Sequence, residues 1–88
     1  MVEPPPDLCI LPDGGVVIFD VVASRLLLFR DGRPRLLYQF RDPNLYLDVF
    51  AGHLAFDGVF LYARWGPRVY ALTTDGKLLW RLTVFQRE

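Results

Sequence analysis

The sequence has very few of the residues that carry most enzyme chemistry. Its 88 residues include one cysteine, one histidine and one serine, which are Cys9, His53 and Ser24. A single cysteine excludes an intramolecular disulfide and a cysteine-rich metal site, and a single histidine excludes a histidine pair. No G-x-S-x-G surrounds Ser24, and the sequence has no phosphate-binding glycine motif. The sequence therefore predicts no catalytic residue, no cofactor site and no metal site.

The chain also lacks a net charge and a long apolar run. Ten basic and ten acidic residues are scattered along it, which gives no electrostatic basis for nucleic-acid binding. The longest apolar stretch, residues 45–63, is interrupted by charged residues and cannot form a membrane-spanning helix. The N-terminus has neither the basic start nor the apolar core of a signal peptide. We expect a cytoplasmic protein with no nucleic-acid or membrane partner.

Apolar residues are abundant for so short a chain. Hydrophobic residues make up 52 % of the sequence and aromatic residues 15 %. The length predicts a single domain over residues 1–88, and a domain of this size buries only about 60 % of the surface of its extended chain. Part of the apolar surface is therefore expected to contact another subunit, or further repeats that this chain lacks.

A pattern of turns and apolar runs occurs twice, at an offset of 44 residues. Asp13-Gly14 corresponds to Asp57-Gly58, and Asp31-Gly32 corresponds to Asp75-Gly76. Between these dipeptides lie short runs of branched and aromatic residues, which are typical of strands joined in hairpins. Turn signals at a fixed period indicate a repeat architecture, with copies at residues 8–40 and 52–85.

The fold class predicted is all-β, with two four-stranded antiparallel meanders and no sustained helical periodicity. The eight predicted strands are Leu8–Leu11, Val16–Asp20, Arg25–Phe29, Arg35–Phe40, Gly52–Phe56, Val59–Ala63, Arg68–Leu72 and Leu78–Phe85. Residues 1–7 are interpreted as an extended proline-rich arm. Residues 41–51 join the two copies and contain either a short extra strand or a helical turn.

The alternation of side chains predicts which strands are buried. The second and third strands of each copy are apolar on both faces, which requires a packed layer on each side of their sheet. In the fourth strand, Leu36, Tyr38 and Phe40 share one face, whereas Arg35, Leu37 and Gln39 share the other. This alternation is typical of a half-solvated edge strand.

The first copy resembles an NHL repeat of the six-bladed β-propellers. The resemblance rests on Gly14, a strand that ends in Asp (Val16–Asp20), Arg25, the apolar residues Leu26, Leu28 and Phe29, and the closing Gly32. It implies that Asp20 and Arg25 form a brace. Arg64 stands at the position that corresponds to Asp20, so the second copy lacks this brace.

The second copy is similar to a PQQ-type propeller blade, through Val69–Leu72, Thr74–Lys77 and Leu79-Trp80. Propellers usually have four to eight blades, and this chain supplies two. The resemblance therefore implies a homo-oligomer, with a closed ring of three or four chains preferred. A dimer that packs sheet on sheet is the other assembly that would cover the open faces.

One loop is a candidate partner-binding site. Arg64, Trp65 and Arg68 flank a Gly-Pro connection, and an exposed aromatic between two arginines can recognise a protein partner. The alternative is a tight connection with Trp65 folded over the sheet. His53 corresponds to Cys9 at the 44-residue offset, and both are interpreted as structural residues.

Two functions remain open from the sequence. The first is a non-catalytic, propeller-like binding or assembly module that self-associates. The alternative is a fragment or remnant of a propeller enzyme of the hydrolase or quinoprotein type. Because no paired carboxylates lie near a histidine, the sequence favours a protein that is not an enzyme.

Overall fold

The structure, a computed structural model, describes residues 7–41 and 53–83 and is all-β there, with two four-stranded antiparallel sheets and no helix. The first sheet has the order β1-β2-β3-β4 and the second the order β5-β6-β7-β8. Each sheet is a meander of consecutive strands, and each resembles a propeller blade in this respect. The strands are β1 (Leu8–Ile10), β2 (Val16–Asp20), β3 (Arg25–Arg30), β4 (Arg33–Gln39), β5 (His53–Phe56), β6 (Leu61–Trp65), β7 (Arg68–Leu72) and β8 (Leu78–Thr83).

The predicted boundaries of β2 and β7 are confirmed. The boundaries of β6 differ most from the predicted strand. Strand β6 begins at Leu61 instead of Val59 because the Asp57 carboxylate accepts hydrogen bonds from the backbone of the two residues that precede Leu61. Asp57 Oδ1 accepts hydrogen bonds from the N–H groups of Val59 (2.8 Å) and Phe60 (2.7 Å). These residues thus belong to the turn and are exposed. The predicted connection at 41–51 and the last two residues of the predicted eighth strand lie outside the described residues, apart from Arg41.

The central hairpins of the two sheets have the same register at the 44-residue offset. Val17 pairs with Leu28 in the first sheet, and Leu61 pairs with Leu72 in the second. The first strands differ, because Cys9 pairs with Val17 whereas Phe56 pairs with Leu61. The predicted correspondence of His53 with Cys9 is therefore wrong. His53 lies opposite Arg64, and Phe56 occupies the place of Cys9.

The two sheets pack face to face around one core. From the first sheet the core takes Val17, Phe19, Leu26, Leu28 and Leu37, and from the second Leu61, Ala63, Trp65, Tyr70 and Leu72. Phe40, just after β4, lies between the sheets: its ring stacks on Phe19 at 5.3 Å and on Trp65 at 5.2 Å between centroids. These offset aromatic contacts join the sheets across the core.

The predicted faces of the fourth strand are wrong because β4 contains a bulge. Leu26 pairs with Tyr38 but Leu27 pairs with Leu36, so Leu37 is the extra residue. A bulge reorients the side chains that follow it. As a result Leu37 is buried in the core, whereas Leu36 is 52 % exposed on the opposite face. A second bulge, at Leu79 in β8, interrupts the register between Ala71 and Leu72.

A backbone contact and an Asp side chain also hold the sheets together. Asp7, just before β1, accepts the Phe19 N–H with its carbonyl oxygen, and its carboxylate accepts the Leu54 N–H of β5. Gly76, in the turn after β7, lies directly against the backbone carbonyl of Leu37. Both contacts use the backbone, so they fix the position of one sheet relative to the other.

Candidate functional site

The structure does not place the predicted partner-binding residues on one surface. Trp65, at the end of β6, is only 2 % exposed and packs against Phe40, so it follows the alternative, a tight connection with the indole folded onto the sheet, and not the exposed recognition loop. Among the described residues, its buried Nε1 donor has no hydrogen-bond partner. Arg64 is exposed on the outer side of the sheet, and its Nε donates to the Gly66 carbonyl at 3.4 Å. Arg68 pairs with Trp65 and therefore shares the opposite, core-facing side.

The Asp–Arg brace implied for the first copy is present. Arg25 Nε donates to Asp20 Oδ2 at 2.9 Å, across the β2–β3 hairpin. The corresponding cross-strand pair in the second sheet is Arg64 with Val69, which cannot form an ion pair. Both partners of the brace are partly exposed, so it contributes at most about 1 kcal/mol and mainly fixes the hairpin.

An open cleft of about 360 Å³ lies at the end of the molecule where Asp-Gly turns of both sheets meet. Asp13 and Arg30 line it and form an ion pair at 2.6 Å. The pKa of Asp13 is lowered, first by the Gly15 N–H and also by Arg30. The carboxylate and the guanidinium thus neutralise each other, and no group of three metal-ligating side chains occurs in the described part of the chain.

Cys9 is half-buried against the core and is poorly suited to act as a nucleophile. Burial raises the pKa of its thiol, and the Asp7 carboxylate raises it further. Both effects disfavour the reactive thiolate. The outer surfaces of the two sheets have a more distinctive chemistry than Cys9.

The outer face of the first sheet is apolar across all four strands. Two cross-strand rows form it, and we call it the first outer face: Ile10, Val16, Phe29 and Pro34 in one row, and Leu8, Ile18, Leu27 and Leu36 in the other. Leu8, Ile10 and Leu36 are 50 %, 66 % and 52 % exposed. In the adjacent row of the described residues, Asp20 and Arg25 are paired with each other.

The outer face of the second sheet is chemically different. Its two rows, which we call the second outer face, are Ala55, Tyr62, Ala71 and Trp80, and His53, Arg64, Val69 and Leu82. Tyr62 donates its hydroxyl proton to Asp57 Oδ2 at 2.8 Å, and this bond raises the pKa of the phenol. The row of Tyr62 and Trp80 corresponds at the 44-residue offset to the aliphatic row of Ile18 and Leu36, so it carries aromatic and hydroxyl-bearing side chains in their place. The row of Arg64 corresponds instead to that of Asp20 and Arg25, which is charged in the first sheet as well.

No protein-family model matches the sequence, and no curated protein and no solved structure is significantly similar to the chain. Among the described residues, no helix has the length and apolar character needed to cross a membrane. The functional inference therefore rests on the surfaces and contacts of the chain.

Sequence reasoning anticipated an apolar outer face but missed its asymmetry. The second strand of each copy reads as apolar on both sides, so composition alone does not show that Tyr62 stands where Ile18 does, although the offset does place Arg64 at the position of Asp20. Applying the 44-residue offset to the outer positions is the signal that could have found it. No signal in the sequence shows that Leu37 is buried, because its burial follows from the bulge, and the bulge depends on how β3 and β4 pair.

Proposed function

We propose that this chain is a non-catalytic assembly module that self-associates, built from two blade-like copies of one four-stranded unit. The NHL-like and PQQ-like resemblances support the common origin of the copies, as does the shared register of the central hairpins. A cytoplasmic location, where the single cysteine stays reduced, belongs to the same proposal.

The observation that carries the proposal is the first outer face. It presents eight apolar residues in two uninterrupted rows, of which three large ones are at least half exposed. Contiguous apolar patches of this kind mark protein contacts. Covering the face removes apolar surface from water without burying a charge, which favours association.

The enzyme alternative has weaker support in the same residues. Cys9 has a raised thiol pKa, and the Asp13 carboxylate is neutralised by Arg30. Neither environment activates a nucleophile or a general base at neutral pH. Saturable stabilisation of the melt by calcium or by a quinone cofactor would favour the enzyme alternative over the assembly module.

Light scattering on a size-exclusion column tests the proposal. The chain has a mass of 10.2 kDa, and we expect a larger particle at micromolar concentration. The mass should fall on dilution, as mass action requires for an association of small area. A particle of 10.2 kDa at all concentrations, with a cooperative melt, would contradict self-association.

A further inference from the structure

We propose that the first outer face binds the first outer face of a second copy around a two-fold axis, giving a dimer of four stacked sheets. This inference rests on the proposed self-association and names its surface, its partner and its symmetry. In such an isologous contact both copies use the same residues. The alternative assemblies are a ring or filament in which the first outer face meets the second outer face.

The chemistry of the first outer face suits contact with itself. Every residue in its two rows is apolar, so a two-fold contact between two such faces brings no charge into the interface centre. Asp20 and Arg25, in the row next to it, are joined at 2.9 Å and neutralise each other. The chain has no net charge that would oppose the approach of a second copy.

A contact between unlike faces is less favourable. It would place the Tyr62 hydroxyl of one copy, and the Asp57 carboxylate bonded to it, against the aliphatic Ile18 row of the other. Burying this pair against an apolar surface costs free energy because water is removed from the carboxylate without a replacement hydrogen bond. The first outer face offers no polar side chain in its two rows to make that replacement.

The packing inside the chain also differs from that of neighbouring blades in a ring. Val17 and Leu28 face the core in the first sheet, and their equivalents at the 44-residue offset, Leu61 and Leu72, face it in the second. The two sheets therefore meet through equivalent faces. Blades related by rotation about a ring axis meet through opposite, non-equivalent faces, as all head-to-tail contacts do. A two-fold dimer repeats the mode of packing that the chain already uses.

The size of the face suits a weak, transient interface. Four strands spaced about 4.8 Å apart, with two side-chain rows, give a face on the order of 20 by 15 Å. Two copies would together bury on the order of 600 Å² of this face, which is small compared with stable complexes. We therefore expect a dimer that dissociates on dilution.

Two leucine-to-lysine variants test the surface. Leu36→Lys places an ammonium group on the first outer face, and Leu82→Lys is the matched control on the second outer face. The two leucines lie in the fourth strands of their sheets and are 52 % and 56 % exposed, so the effects on folding should be alike. Sedimentation velocity should show a dimer dissociation constant raised at least tenfold by Leu36→Lys and changed less than twofold by Leu82→Lys.

A third variant, Leu27→Ala, removes apolar contact from the same face without adding charge and should also weaken the dimer. Circular dichroism melts of all three variants establish that each one folds. If the wild type associates but Leu82→Lys weakens it as much as Leu36→Lys, the surface is wrong and self-association stands. A trimer or tetramer overturns the two-fold dimer. A wild-type monomer overturns both this inference and the proposed function.

Discussion

At the scale of single residues, the largest departure from expectation is Trp65, which belongs to the core. Its ring stacks on Phe40 with the ring planes 17° apart, and it contacts Tyr70. The same aromatic content that predicted a recognition loop is used to join the two sheets. Large aromatic side chains bury the most area per residue, so a short chain gains most by placing them between its layers.

Fluorescence quenching distinguishes the two environments of tryptophan. In a Trp80→Phe variant only Trp65 emits, and we expect a blue-shifted spectrum with little quenching by acrylamide because the ring is 2 % exposed. The reciprocal Trp65→Phe variant retains Trp80, and it should respond more strongly. Easy quenching of Trp65 in the folded protein would mean that the indole is exposed, as the loop hypothesis held.

Gly76 and Gly14 form a matched pair for testing how the sheets are docked. Both lie in five-residue turns with the same backbone hydrogen bonds, and their φ angles are +90° and +89°. An added methyl group meets nothing within 4 Å at Gly14, but at Gly76 it meets the Leu37 carbonyl oxygen. The backbone strain of alanine is therefore shared, and the clash is specific to Gly76.

We expect Gly76→Ala to lower the free energy of unfolding by about 1–3 kcal/mol more than Gly14→Ala, the usual cost of overpacking. Urea denaturation of the two variants at one protein concentration measures the difference. Equal losses would show that the turn after β7 does not lie against β4.

Asp57 predicts a dependence of stability on pH. Its pKa is lowered by the N–H groups of Phe60 and Val59 and by the Tyr62 hydroxyl. An unfolded aspartate titrates near pH 3.9, so the stabilisation is complete above that pH and is lost as pH falls through the lower folded pKa. An asparagine side chain in its place would keep the Oδ1 acceptor but would not titrate.

Asp57→Asn should therefore lose less stability between about pH 5 and pH 2 than the wild type does. Tyr62→Phe removes one of the three donors and should give an intermediate slope. Denaturant unfolding at a series of pH values checks this, and identical slopes for all three proteins would show that Asp57 makes no such contribution.

At the scale of elements, the bulge in β4 decides which leucine enters the core. Strict alternation along Arg35–Phe40 predicts that Leu36 and Tyr38 share a face with Phe40. One extra residue at Leu37 reverses this at the edge of the sheet, and it leaves Leu36 on the first outer face. The strand was thus predictable from the sequence, whereas its buried face was not.

Truncation of these neighbouring leucines should have unequal effects. Leu37→Ala opens a cavity in a site that is 6 % exposed and should cost about 2–4 kcal/mol of unfolding free energy. Leu36→Ala should cost less than about 1 kcal/mol in the monomer, because its side chain is half exposed. Chemical denaturation at low protein concentration measures both, and the reverse order would place the bulge elsewhere.

The turns show how far local sequence determines local structure. The all-β class and the eight strands follow from Asp-Gly dipeptides and short apolar runs. Yet Asp31-Gly32 forms a two-residue hairpin turn with φ angles of +53° and +74°, while Asp75-Gly76, at the corresponding place, lies in a longer turn. Turn length depends on the pairing of the flanking strands as well as on the dipeptide, so strand boundaries shifted by up to two residues.

At the scale of the whole molecule, the inner faces of the two sheets pack against each other, and the first outer face is apolar and partly exposed. The two sheets meet through equivalent faces and bury a shared core. The outer sides of the two sheets then differ, because the aliphatic row of Ile18, Leu27 and Leu36 corresponds to a row with Tyr62, Ala71 and Trp80. Within the described residues both rows of the first outer face are apolar, and under the proposed self-association a two-fold contact through this face closes at two copies.

The most direct test of this two-fold assembly is sedimentation equilibrium of the wild type between about 1 and 100 µM, with Leu36→Lys run beside it. We expect the wild type to approach twice 10.2 kDa at the high end and to stop there, while the variant stays near the monomer mass. A wild-type mass that continues to rise past the dimer, or a variant that associates as the wild type does, would contradict the assembly through the first outer face.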